Sequence, residues 1–183
     1  MHAFVDESLR MSGEGLYVVT AVVVTEDPDR CRDAIRSVLL PRQRRFHWRD
    51  ESEAQRKAML DALAALELPV YGYVRRPVPR RRQERARALC LNRMLWDLGQ
   101  ELAGAELVLE TRQDRNDRKD RQTIIRAQKA GIAPPDLRYR FEHPGGEPLL
   151  WAADAAAGAV AGHLVEQGNY LDRLRDVRVE IVP

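Results

Sequence analysis

Leu16–Val24 reads Leu-Tyr-Val-Val-Thr-Ala-Val-Val-Val, apolar and β-branched with no polar alternation. A run this short and continuous predicts a strand covered on both faces. A second apolar run, His2-Ala3-Phe4-Val5, precedes it and ends abruptly in Asp6-Glu7-Ser8, and the turn-like Met11-Ser12-Gly13-Glu14-Gly15 joins the two. The pair predicts a hairpin of residues 2–7 and 15–24 that delivers Asp6 to the edge of a sheet.

The rest of the chain alternates helix and strand signals. Asp29 is placed to cap a helix that runs to residue 40, where Pro41 stops it. A basic connection, residues 42–51, holds Phe46-His47-Trp48. Ser52-Glu53-Ala54-Gln55 then forms a capping box for a helix with Met59, Leu60, Leu63 and Leu66 on one face. Residues 69–74 predict a third strand, 75–82 a Pro- and Arg-rich loop, and 82–102 a long helix with Ala88, Leu91, Leu95, Leu98 and Leu102 at helical spacing. A fourth strand is expected over 105–111. The charged stretch 112–126, with Asp114, Asp117 and Asp120, reads as a mobile loop. A fifth strand over 137–142, an Ala/Gly-rich helix running to about residue 167, and an alternating edge strand over 177–182 complete the chain. The pattern predicts a single α/β domain over residues 1–183, built on one mixed five- or six-stranded sheet with helices on both faces.

Three carboxylates carry the functional reading. Asp6 ends the first strand, and Glu110 ends the apolar run Leu107-Val108-Leu109. Asp154 is the one charge between Glu147 and His163, with Leu150, Ala157 and Gly158 as helical neighbours. Those small residues allow close approach of helix to sheet, and a carboxylate in such surroundings calls for a partner or a cation. If the first and fourth strands are adjacent and parallel, Asp6 and Glu110 emerge at the same C-terminal edge, where ligand sites of such sheets lie. Glu7 alternates to the other face of its strand, as a supporting or solvent-facing group, and stands in the candidate metal set behind the other three. His47, with an ordinary imidazole pKa of about 6.5, is a candidate for proton transfer.

The formal net charge of +2 does not by itself imply a polyanionic partner, but its distribution is informative. Only three of the thirty basic residues are Lys, and Arg is the better bidentate phosphate ligand. The Arg residues cluster at 42–49, 75–82 and 112–126, and Trp48, Tyr71 and Tyr73 are candidates to stack on bases. Cys31 and Cys90 have no metal-ligand spacing and read as reduced thiols of a cytoplasmic protein. The longest apolar stretch, residues 149–162, is interrupted by Asp154 and reads as too short to span a bilayer. The motifs of zinc proteases, P-loop enzymes and nucleophile-elbow hydrolases are absent.

Phe4-Val5-Asp6-Glu7-Ser8, the strand at 17–24 and Pro148-Leu149-Leu150-Trp151-Ala152-Ala153-Asp154-Ala155-Ala156-Ala157-Gly158-Ala159 together resemble the family called domain of unknown function 3800. Phe46-His47-Trp48 resembles that family's His-bearing segment. The resemblance extends from Phe4 to about Val160 and implies an RNase H-like fold. Leu9 and Trp151 depart from the family's usual Gly and Gln, and neither change removes a carboxylate.

These readings lead to the expectation of a divalent-metal-dependent nuclease. Asp6, Glu110 and Asp154 would hold Mg²⁺ or Mn²⁺, in a two-ion arrangement with ions about 3.5–4 Å apart, and RNA or DNA would be the partner. The alternative is a non-catalytic nucleic-acid-binding or regulatory protein on the same fold, in a defence assembly. A homo-oligomer is compatible with either.

Overall fold

The computed structural model describes residues 1–101, 104–166 and 168–183; the expected helical positions Leu102 and Gln167 lie outside them. Its elements in chain order are β1 (His2–Arg10), β2 (Leu16–Val24), α1 (Pro28–Ser37), α2 (Glu53–Ala65), β3 (Val70–Arg75) and α3 (Gln83–Glu101). They continue with β4 (Glu106–Glu110), α4 (Asp114–Lys129), β5 (Arg138–Glu142), α5 (Pro148–Glu166) and β6 (Val177–Ile181). The strands form one six-stranded sheet in the order β5-β4-β1-β2-β3-β6. β1 and β3 run antiparallel to β2, while β4 pairs parallel to β1, β5 to β4 and β6 to β3. The protein is therefore α/β with a mixed sheet flanked by helices, consistent with an RNase H-like fold.

Side-chain alternation divides the core into two layers. Phe4, Val22, Val70 and Val108 face α1, α2 and α5, and meet Ile35, Met59, Leu63 and Leu150. Ala3, Val5, Val19, Leu107 and Leu109 face the other way, against Leu91, Met94 and Leu95 of α3 and Ile124 of α4. Burial on both faces accounts for the unbroken apolar sequence of β2, all nine residues of which are buried.

Several local expectations need correction. Asp27, not Asp29, caps α1 by accepting from the Arg30 N–H at 3.0 Å, because Pro28 occupies the first helical position. Ser52 caps α2 through the Gln55 N–H at 3.2 Å, but the Gln55 side chain does not complete the box; its amide donates to the Val38 carbonyl and ties α1 to α2. β1 continues to Arg10, three residues past its expected end. The segment expected to be a mobile loop is the helix α4. Its charge pattern obscured a buried side, in which Asp117 and Asp120 are inward alongside Ile124 and Ala127.

Those inward acids explain how a charged helix docks. Asp117 accepts from the Thr111 hydroxyl at 2.6 Å and the Arg112 N–H at 2.9 Å, which closes the turn between β4 and α4. Asp120 is forked by Arg87 of α3, with both Nε contacts at 3.0 Å, and by Arg112 at 3.1 Å. Arg87 is 1% exposed and also pairs with Glu7 of β1. One buried guanidinium thus links β1, α3 and α4. α5 has the length expected of it, but it is long and apolar enough by length and composition to cross a membrane, where the apolar stretch had read as too short; 78% of that window is buried inside the fold, where it serves as a core helix.

Removing one member of a buried ionic cluster leaves its partners desolvated and unpaired. Arg87→Ala should therefore lower the free energy of unfolding in urea by about 3–5 kcal/mol. A loss below about 1 kcal/mol would show that the cluster does not support the fold.

Candidate active site

Asp6 and Glu7 are adjacent on β1 and diverge to opposite faces of the sheet, as period-2 alternation requires. Asp6 shares the side of Phe4, under α5, while Glu7 shares the side of Val5. The parallel register of β1 and β4 pairs Val5 with Leu109, so one further step brings Glu110 beside Asp6. Asp6 lies opposite Thr20 on β2. The Thr20 hydroxyl is fully buried and donates to the Ala153 carbonyl at 2.9 Å, which fixes α5 over this part of the sheet one residue from Asp154. The three carboxylates singled out in the sequence therefore meet on one face, from β1, β4 and α5.

Their electrostatics follow from that proximity. Burial holds the Asp6 carboxyl well above the usual range, and the charges of Glu110, Asp154 and Glu7 add to the effect. Glu110 is pushed up to about 7, first by burial and then by Asp154 and Glu7, while hydrogen-bonding contact with Asp6 acts in the opposite sense. Asp154 is also raised by burial, and the Trp48 N–H, donating to its Oδ2 at 2.7 Å, offsets part of this. The Glu7 N–H donates to Asp6 Oδ1 at 2.7 Å. Asp6 and Asp154 thus each have one oxygen held by a backbone amide.

Trp48 locates the rim of the site. Its indole is 4% exposed, packs edge-on against Tyr170 at 5.1 Å between centroids, and lies over Gly158. A Cβ at Gly158 would collide with the indole ring, so the glycine one turn after Asp154 is what lets residues 46–48 lie against α5. Arg56 secures the same segment by donating to the Trp48 carbonyl at 2.8 Å. His47 stands at the mouth, its Nδ1 2.8 Å from Asp50 Oδ2, and its charge acts on Asp154. Arg45 is exposed and its charge favours the ionised forms of both Glu110 and Asp154.

Other candidates fall elsewhere. The Glu7 carboxylate is engaged by Arg87 and, at 3.6 Å, by Arg112 on the opposite face, so it anchors β1 and does not join the other three carboxylates as a ligand. Asp117 and Asp120 are consumed in the same layer. Trp48, Tyr71 and Tyr73 are 4%, 9% and 2% exposed, so the expected base-stacking surface does not form from them. Sequence reading missed Glu142, which the β4–β5 register sets beside Glu110; a carboxylate ending an edge strand gives little sign of this without the strand order. Trp151 donates its indole N–H to the Pro144 carbonyl at 2.6 Å and so braces the loop before α5.

Among the described residues, no three His, Cys, Asp or Glu side chains stand close enough together to form a ready-made metal cage. No protein-family model and no curated protein matches the chain.

Two outcomes test the site. Gly158→Ala should displace Trp48, lower stability by about 1–3 kcal/mol as overpacking does, and weaken any activity that needs Asp154; an unchanged melting temperature would contradict the packing. The pH dependence follows from Glu110. The folded protein retains a proton up to about pH 7 that the unfolded chain releases near 4.5, so in EDTA stability should fall as pH rises through that window. The loss should be on the order of 1–2 kcal/mol at this partly exposed site, and Glu110→Gln should shrink it, leaving the part that comes from the raised Asp6 and Asp154. A wild-type profile without that decline would contradict the assignment.

Proposed function

We propose that the protein is a divalent-metal-dependent nuclease that hydrolyses phosphodiester bonds at Asp6, Glu110 and Asp154. The observation that supports this reading is the convergence of three carboxylates from β1, β4 and α5 on one sheet face, with mutually reinforcing charge and an exposed Arg45 beside them.

The donor set fits Mg²⁺ or Mn²⁺. Both ions prefer hard carboxylate oxygens, and Mg²⁺ commonly binds through one or two carboxylates, several waters and substrate phosphates, so a preformed three-ligand cage is not required. The cation would be held by Asp6, Glu110 and Asp154, and would supply Lewis-acid polarisation of the phosphoryl oxygens and a more acidic water. The chain's own residues do the rest. The amides of Glu7 and Trp48 orient Asp6 and Asp154 through one oxygen each. Burial against α5 keeps bulk water from screening the carboxylates. Arg45 attracts the phosphate to a centre whose own charge would repel it. His47, oriented through Nδ1 by Asp50, holds or moves a proton at Nε2.

A second reading, favoured by the lack of a ready-made cage among the described residues, is a protein that binds nucleic acid without cutting it. Cleavage assays with Mn²⁺ on labelled RNA, DNA and hybrid separate the two. The nuclease reading expects cutting that Asp6→Asn, Glu110→Gln or Asp154→Asn each lowers by more than about 100-fold, beyond what loss of a supporting contact costs. His47→Ala should lower the rate on the order of 100-fold while leaving metal affinity intact. Binding without cutting any of the three substrates would favour the second reading.

A further inference from the structure

The basic stretch after β3 behaves differently from the arginines that brace the fold. Arg32, Arg87, Arg112, Arg140 and Arg173 all have carboxylate partners. Among the described residues, Arg75, Arg76, Arg80, Arg81, Arg82 and Arg85 have none; five are exposed, and Arg75 is half-buried with its guanidinium donating to the Val182 carbonyl at 2.9 Å. A solvated face normally intersperses both signs of charge, whereas here six arginines stand with two acids, Glu84, which is paired with Arg112 and Lys119, and the exposed Glu14 of the β1–β2 turn.

The tract is also built. Val78 is 2% exposed, and its N–H donates to the carbonyls of Glu14 and Gly15 at 3.0 and 3.1 Å, which fastens the loop to the β1–β2 turn. Gly15 has a φ of +78°, and any Cβ there would strike the Val78 carbonyl, so that turn requires glycine for both reasons. Arg75, Arg82 and Arg85 line an open notch of about 90 Å³ with Pro77, Val78 and Pro79. The guanidinium groups thus stand on a fixed base.

Its position relates it to the carboxylates. β3 runs parallel to β1, so the tract begins at the same end of the sheet as Asp6 and Glu110. Arg75 is level with Tyr17, and Tyr17 with Leu9, which puts Arg75 two strands across and three residues beyond Asp6. With strands about 4.8 Å apart and a rise of about 3.4 Å per residue, the backbone separation is about 14 Å, with Arg75 on the α3 face of the sheet beside Tyr17 and Asp6 on the α5 face. Among the described residues no exposed aromatic ring lies within the tract; the exposed Trp96 stands three turns further along α3. Single-strand binders rely on such rings, since stacking contributes about 1–3 kcal/mol per base. Charge without stacking suits a backbone whose bases are already paired.

We propose that Arg75, Arg76, Arg80, Arg81, Arg82 and Arg85 form a phosphate-backbone tract that grips double-stranded nucleic acid without reading its sequence. The proposal rests on the phosphodiester reading for its biological purpose, but its test does not depend on cleavage. Binding of a labelled duplex and of a single strand of the same sequence is measured in EDTA, with the full-length Asp154→Asn protein, over a range of salt. The duplex should bind more tightly than the single strand. Adding Arg80→Ala, Arg81→Ala and Arg82→Ala together should weaken duplex binding at least about tenfold at low salt and lower the salt slope by about 2–3, at about 0.9 per lost phosphate contact. All three residues are exposed, so the melting temperature should not change. Unchanged duplex affinity and slope in the triple variant, or tighter binding of the single strand, would overturn the proposal. Duplex binding that depends on the tract in a protein whose wild type never cuts would sustain the proposal while ending the nuclease reading.

Discussion

Two neighbouring acids on β1 have to be reconciled with a strand that is buried on both faces. Alternation sends Asp6 under α5 and Glu7 into the layer of α3 and α4, and each destination has a different means of tolerating a charge. Glu7 meets Arg87, itself buried and held by Asp120, so that side is a compensated ionic cluster. Asp6 meets other carboxylates, and among the described residues no ion pair offsets it. The protein is thus compensated on one side of β1 and deliberately uncompensated on the other. A buried like-charge group destabilises the fold, and such groups gather at functional sites, which supports the reading proposed above.

The two sides are mechanically connected. The Arg87 cluster fixes the register of β1 against α3 and α4, and β1 in turn sets where Asp6 stands. From above, the Thr20 hydroxyl and the Trp48–Gly158 contact set where α5, and so Asp154, stands. The carboxylates are positioned by packing that lies almost wholly outside the site. This is why Gly158, which bears no chemistry, belongs to the site as much as His47 does.

Much of this was legible in the residues. The unbroken apolar run of β2 announced a doubly covered strand, and the isolated Asp154 among alanines and glycines marked a helix pressed on a sheet. α4 was misread because its inward acids look identical, in sequence, to solvated ones; only the positions of Arg87 and Arg112, distant in the chain, distinguish them. Stacking roles for Trp48, Tyr71 and Tyr73 failed for the related reason that an aromatic near basic residues is as often a core residue. Glu142 entered the neighbourhood of Glu110 through strand order, which no local pattern encodes.

That Asp6 and Asp154, 148 positions apart, belong to one cation site is most directly tested by calorimetric titration of Mn²⁺ into the wild type, Asp6→Asn and Asp154→Asn, with and without a non-hydrolysable phosphodiester. A shared site predicts binding by the wild type that both substitutions abolish while circular dichroism and melting remain those of a folded protein. Equal binding by all three proteins, or none by the wild type even with the phosphodiester present, would contradict it.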